Sequence, residues 1–202
     1  MSPWLLLPLA YLVGATPTSY LAGQLARGID LRRHGSGNLG ATNVFRVLGW
    51  RVAIPVLVLD IAKGWAPTFL LPRWDTSPAV EWAAAYGGAA VLGHVYSLYV
   101  GLRGGKGVAT SAGVLLALAP VATLAGLAVW AALLALTRIV SVASLSAALV
   151  LPAAVYLTRA GGTVFVLSLL LAAFIVYAHR ANIRRLLRGE EHRFGRSTRP
   201  AH

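Results

Sequence analysis

The chain alternates long apolar stretches with short polar ones. Apolar segments run over residues 4–26, 52–71, 78–99, 108–119, 121–137, 140–157 and 163–178. A bilayer-crossing helix needs about 20 apolar residues, so five of these segments have nearly the length of a span and the two that flank Pro120 are short. The short pair decides the topology. Read as one tilted span, it would carry Arg138 and the whole basic C-terminal tail across the membrane. Read as two spans, it leaves four sets of basic residues on one face: Arg27, Arg32, Arg33, Arg46 and Arg51; Arg103 and Lys106; Arg138; and the arginines from Arg180 to Arg199. That face then holds 15 of the 18 Lys and Arg residues, and the other keeps Arg73 and Arg159 with Asp75 and Glu81 nearby. Basic loops stay on the cytoplasmic side. The expected fold is therefore all-α, a polytopic membrane protein with seven transmembrane helices, its N-terminus outside and its C-terminus cytoplasmic.

Composition agrees with this pattern. Of the 202 residues, 57% are hydrophobic and 12% charged, against roughly 25% charged in soluble domains, and the mean hydropathy is +0.70. Short loops leave no room for an appended soluble domain, so residues 1–202 are expected to form one unit. There is no cysteine, which excludes disulfides and thiolate metal sites. The first basic residue is Arg27, so the opening apolar segment lacks the positive flank of a secretory signal and is expected to remain as the first span. A net charge of +12 suggests nucleic acid, but the charges sit at helix ends, which argues for a membrane partner and against nucleic acid.

The same topology gathers the unusual loops on one face, in residues 27–51, 101–110, 138–144 and 179–202. The stretch RRHGSGNLGATNVFR has three glycines that let the backbone approach a ligand, with Ser36, Asn38, Thr42 and Asn43 beside Arg46. Such a set suits an oxyanion, although Thr42 and Asn43 also read as helix-capping residues. In GHVYSLYVGLRGGKGVAT, the glycines lead into a helix whose N-terminus attracts anions, and Lys106 adds a full positive charge. It is not a nucleotide loop, because Gly107 stands where a magnesium-binding Ser or Thr belongs. His94 and Ser97 read as interhelical hydrogen-bonding groups. In the third stretch, AHRANIRRLLRGEEHRF, His179 and Asn182 lie one helical turn apart and can face one ligand. Its arginines read as a basic tail on the lipid headgroups. Asp60 and Lys63, three apart within a span, point to a structural ion pair, and Ser141 and Ser144 lie one turn apart beside Arg138.

These groups are rich in anion binders and poor in bases. With only six acidic residues and no G-x-S-x-G, neither paired-carboxylate chemistry nor a serine hydrolase is expected. The profile suits a membrane enzyme that joins a lipid to a water-soluble phosphate ester by positioning its substrates and neutralising charge. A transporter for phosphate esters would also want basic loops, but no inverted repeat is visible. A CDP-alcohol phosphotransferase would need more aspartates than the chain contains.

The stretches GSGNLGATNVFR, GHVYSLYVGLRGGKGVAT and HRANIRRLLRGEE resemble, in order and spacing, the three signature motifs of the bacterial acyl-phosphate:glycerol-3-phosphate acyltransferase (PlsY) family. The likeness extends to Asp60, Lys63 and Gly64 and to the SVAS serines, and it spans nearly the whole chain. It implies acyl transfer from acyl phosphate to the 1-hydroxyl of glycerol 3-phosphate in the bacterial inner membrane, giving lysophosphatidic acid and inorganic phosphate without metal or cofactor. His179, Lys106, Asn182 and Ser36 would then be catalytic. Arg46, Asn38, Thr42, Asn43, Gly104, Gly105, Ser144 and Ser141 would bind substrate, and gapless spacing from Lys106 favours Ser144 over Ser141. The His-x4-Asp dyad of other acyltransferases is absent: five residues after His34, His94 and His179 come Leu39, Tyr99 and Arg184.

Overall fold

The computed structural model describes residues 1–77 and 79–194. Pro78, which opens the third predicted segment, and Arg196 and Arg199 of the basic tail lie outside the described residues. The described chain is helical throughout, without strands. Helices α1 (Pro3–Ala15) and α2 (Thr18–Arg27) form one apolar run that breaks at Thr16 and Pro17. Proline lacks the N–H that would continue the ladder and pushes the residue before it into an extended conformation, as Thr16 shows with ψ 117. A single 3-10 turn and a loop lead to the short amphipathic α3 (Ala41–Leu48), and Gly49, with φ 86, turns the chain into α4 (Trp50–Leu70). Then follow α5 (Val80–Val95), α6 (Val108–Leu118), α7 (Pro120–Thr137), α8 (Val140–Leu157), α9 (Gly162–Ala178) and the basic α10 (Arg180–Leu187).

Each predicted apolar segment appears as helix, and the break at Ala119 and Pro120 does separate α6 from α7. Length sorts them further. Four runs among the described residues are long and apolar enough to cross a membrane: Pro3–Arg27, Trp50–Arg73, Pro120–Thr137 and Val140–Leu157. A fifth is reached if α9 is counted with α10, which bends away from it by 58°. At 1.5 Å per residue α6 reaches only about 16 Å, half of the roughly 30 Å hydrocarbon core.

Lipid gives helices no hydrophobic reason to associate, so close backbone contact matters more than side-chain burial. Glycine supplies that contact. Gly14 and Gly93 bring α1 against α5 at Ala90 and Tyr11, while Gly64 and Gly113 bring α4 against α6 at Thr110 and Ile61; a Cβ at any of the four would meet a carbonyl oxygen. The main apolar core joins α5 to α9 through Val91, Val114, Leu115, Ala122, Val155 and Leu171. A second cluster of Leu31, Leu39, Val44, Ala53, Val56 and Val100 fixes the loops at the basic end. Leu124, Leu127, Leu149 and Leu170 stay exposed around the outside, as lipid-facing positions should.

The two ends of the bundle differ. At one, Thr76 N–H donates to the Met1 carbonyl at 3.1 Å, and Asp75 is buried beside Tyr86. At the other, Ser97 Oγ donates to the Ala15 carbonyl at 2.5 Å, and the glycine loops follow.

Candidate active site

Three separated stretches meet at the basic end. The loop before α3 is organised by Asn43, which is 1% exposed. Its amide donates to the Leu31 and His34 carbonyls at 3.2 and 3.0 Å, and its Oδ1 accepts from Ser36 N–H at 2.8 Å. Both of its N–H groups and one lone pair of its oxygen are thus used to shape the loop. Asn43 therefore shapes the loop, a role that stands beside the substrate-binding role the resemblance implies. Gly35 and Gly37, with φ 61 and 70, take the left-handed turns that this path requires. Ser36 is left exposed, and its hydroxyl makes no hydrogen bond to the described residues. Asn38 and Thr42 are partly buried beside it, and Arg46 lies one turn along α3.

The second stretch returns under the first, with Gly105 close to the Leu39 carbonyl. Here the structure differs from the sequence reading. Gly104 N–H donates to the Val95 carbonyl at 2.9 Å and Gly105 N–H to the His94 carbonyl at 3.2 Å, so neither is directed at a ligand. The physical reason is the end of α5, whose last carbonyls lack helical partners and are satisfied by the returning loop. What the two glycines provide is close approach. The unpaired N–H groups belong instead to the first turn of α6, just beyond Lys106.

Lys106 joins this loop to the third stretch. Its Nζ donates to Asn182 Oδ1; Asn182 Nδ2 donates to Glu191 Oε1 at 2.6 Å, and the same oxygen accepts from Ser141 Oγ at 3.0 Å. Arg185 Nε completes the set, donating to Glu191 Oε2 at 2.7 Å. The Glu191 side chain is 3% exposed. Burial pushes its pKa up, but the hydrogen bonds from Arg185, Asn182 and Ser141 prevail and hold it below the usual glutamate value. A carboxylate thus sits among the groups expected to hold phosphate. Arg46 belongs to the same field, attracted by Glu191 and repelled by Arg185.

His179 caps α9 where the chain bends into α10, and it is 3% exposed. Its Nδ1 lies 2.8 Å from the Ile175 carbonyl, which can only accept, so Nδ1 carries the proton and Nε2 keeps a lone pair. Burial first, then the nearby Lys106 charge, lowers its pKa to about 4. Lys106 is lowered to about 8, again chiefly by burial, with Glu191 opposing and Arg185 and Arg46 reinforcing. At neutral pH the pair is a neutral imidazole beside an ammonium.

One serine of α8 and one glutamate beyond α10 complete the surroundings of Asn182. Ser141 joins the network, whereas Ser144, favoured by spacing, accepts from Trp130 Nε1 at 3.2 Å and retains its own O–H. Glu191 was not singled out from sequence. The signal was its place after Gly189, whose φ of 70 folds the chain back onto α10, and Glu190 N–H then closes on the Arg185 carbonyl at 2.8 Å. Phe194 holds the segment down, its N–H donating to the Arg138 carbonyl at 2.7 Å and its ring meeting Phe45 at 4.4 Å.

The structure is thus that of a multi-pass helical membrane protein whose basic, glycine-containing loops gather at one end. The model of the glycerol-3-phosphate acyltransferase family matches residues 4–189, and the chain belongs to that family. It is 49% identical over 190 residues to the glycerol-3-phosphate acyltransferase of Desulforudis audaxviator, covering 94% of each chain. With that of Geotalea daltonii the identity is 46%, covering 93% of this chain and 95% of the relative. Crystal structures of PlsY (YgiH), an integral membrane glycerol 3-phosphate acyltransferase, superpose with TM-scores of 0.86 for the glycerol 3-phosphate form and 0.87 for the lysophosphatidic acid form. Identity to both is 37%; the aligned region covers 96% of this chain in each case, and 96% and 95% of the respective crystal chains.

Proposed function

We propose that the chain transfers a fatty acyl group from acyl phosphate to the 1-hydroxyl of glycerol 3-phosphate, at the cytoplasmic rim of a seven-span bundle in the bacterial inner membrane. The observation that carries this reading is the continuous network from Lys106 through Asn182 and Glu191 to Ser141 and Arg185, which ties the glycine loop, α8 and α10 around one negative group. A site that already holds a carboxylate in three hydrogen-bonding partners, one of them a guanidinium, with Lys106 one partner further on, has the chemistry to hold phosphate in its place. The N-terminus outside and the basic end inside follow from the distribution of Lys and Arg.

In the proposed reaction Lys106, Arg46 and the serines of α8 hold phosphate, with the first turn of α6 adding its N–H groups and partial charge. Ser36, Asn182 and His179 orient the glycerol. The 1-hydroxyl oxygen attacks the acyl carbonyl carbon, the bond from that carbon to the phosphate oxygen breaks, and the hydroxyl proton passes to the departing phosphate. His179 Nε2 accepts a hydrogen bond from the glycerol's neighbouring 2-hydroxyl and so aligns the 1-hydroxyl; with a pKa of about 4 it is too weak a base to hold the attacking group's proton at neutral pH. Acyl phosphate is a mixed anhydride with a good leaving group, so placement and charge neutralisation supply most of what is needed.

The test is to mix purified protein with acyl phosphate and glycerol 3-phosphate and to follow both products. Orthophosphate and lysophosphatidic acid should appear in equal amounts, and only when glycerol 3-phosphate is present. Phosphate release without it would make the chain a hydrolase. Movement of intact glycerol 3-phosphate across vesicles with no new ester would make it a transporter.

A further inference from the structure

The Asp60–Lys63 pair lies deep in the bundle, and the proposed reaction does not use it. Asp60 Oδ1 accepts from Lys63 Nζ at 2.7 Å and from Thr18 Oγ1 at 2.6 Å, while Lys63 Nζ also donates to the Thr16 carbonyl at 2.8 Å. A third neighbour is His94, whose Nδ1 stands 3.7 Å from the same Asp60 oxygen. The ring is 5% exposed. Its opposite nitrogen faces the anion site: a Cβ at Gly105 would collide with His94 Nε2 and stand 2.8 Å from Cε1. The His94 carbonyl meanwhile accepts from Gly105 N–H and leaves no space for a Cβ at Gly104. One residue therefore holds both glycines, with its ring against one and its backbone against the other.

We propose that His94 is a positioning residue for the phosphate-binding loop. With Asp60 3.7 Å behind its Nδ1, its imidazole is the floor on which the Gly104–Gly105 backbone rests, and the height of that floor sets where Lys106 meets phosphate. The inference rests on the reading of Lys106 as a phosphate-binding group. It gives the intramembrane ion pair a task beyond joining helices, since through His94 the pair reaches the site. It also explains the glycines by space: neither Gly104 nor Gly105 has a positive φ, so any residue could take their backbone conformation.

A double-mutant cycle read as glycerol 3-phosphate binding, by calorimetry on purified full-length protein without acyl donor, tests this. The proteins are wild type, Gly105→Ala, His94→Asn and the double variant; asparagine lacks the ring atoms that meet the new methyl and keeps a polar group towards Asp60. Gly105→Ala should weaken binding at least about tenfold, and adding His94→Asn should recover about fivefold or more of that loss, because contacting residues couple. Gly104→Ala, which strikes the His94 backbone, should not be rescued by His94→Asn. A merely structural histidine would add its own loss to both glycine variants. Additive losses at Gly105, or equal rescue of Gly104→Ala, would overturn the proposal. If His94→Asn does not yield folded protein, His94→Gln, whose flexible amide can swing aside, takes its place in the cycle. Coupling in binding without acyl transfer would leave this role standing and remove the proposed reaction, whereas a wild type that does not bind glycerol 3-phosphate would remove both.

Discussion

At the level of single residues, the site depends on which groups are charged near neutral pH. His179, lowered to about 4, is neutral over the working range, and Lys106, lowered to about 8, is the cation that titrates. Bound phosphate favours the ammonium, so binding should be tightest below pH 8 and weaken as pH rises through it. Transfer measured against pH should therefore show an alkaline limb near 8. Lys106→Arg, charged throughout the range, should move that limb out of it. On the acid side the second ionisation of the substrate phosphate, near pH 6, supplies a limb that should persist in His179→Ala at lower rate. Loss of the acid limb in His179→Ala would make His179 a general base instead. The candidacy of Lys106, Asn182 and His179 was legible in the sequence because a cation after glycines at a helix start, and a polar pair one turn apart, are suited to meet an anion. Glu191 was not, since an acid among arginines in a tail reads as solvated charge until the chain folds back on itself.

At the level of elements, the legible part was the apolar segments, because hydropathy registers them directly. The short helices were less visible: α3 and α10, eight residues each, bury one face and expose the other, and no long period marks them. The donors of the glycine loop were misplaced for a similar reason, since composition shows that glycine N–H groups exist but not that the end of α5 takes them. Helix contact carries a sharper expectation. At Gly113 a Cβ would meet the Ile61 carbonyl, whereas at Gly88 nothing lies within 4 Å. Gly113→Ala should separate α4 from α6 and cost about 1–3 kcal/mol, as overpacking does elsewhere. Gly88→Ala should be neutral or slightly stabilising, because alanine is the better helix former. Thermal unfolding in detergent checks both, and equal effects would contradict the packing described.

For the whole molecule, the fold places the three candidate-site stretches at one end and leaves the outer surface to lipid. The sequence indicated this end through its charges, and the structure adds how the stretches touch: Leu39 against Gly105, Lys106 to Asn182, and Phe45 against Phe194. Those contacts depend on pairs of residues far apart in the chain, which no local pattern encodes. The central claim is that three stretches form one receptacle for phosphate. Calorimetric titration of glycerol 3-phosphate into the wild type and into Ser36→Ala, Lys106→Gln and Asn182→Ala tests it most directly. Each substitution removes a hydrogen bond to a charged group and should weaken binding about tenfold or more. Unchanged affinity in Ser36→Ala or Asn182→Ala, with only Lys106→Gln impaired in equally folded protein, would mean that the loops are neighbours without forming a common site.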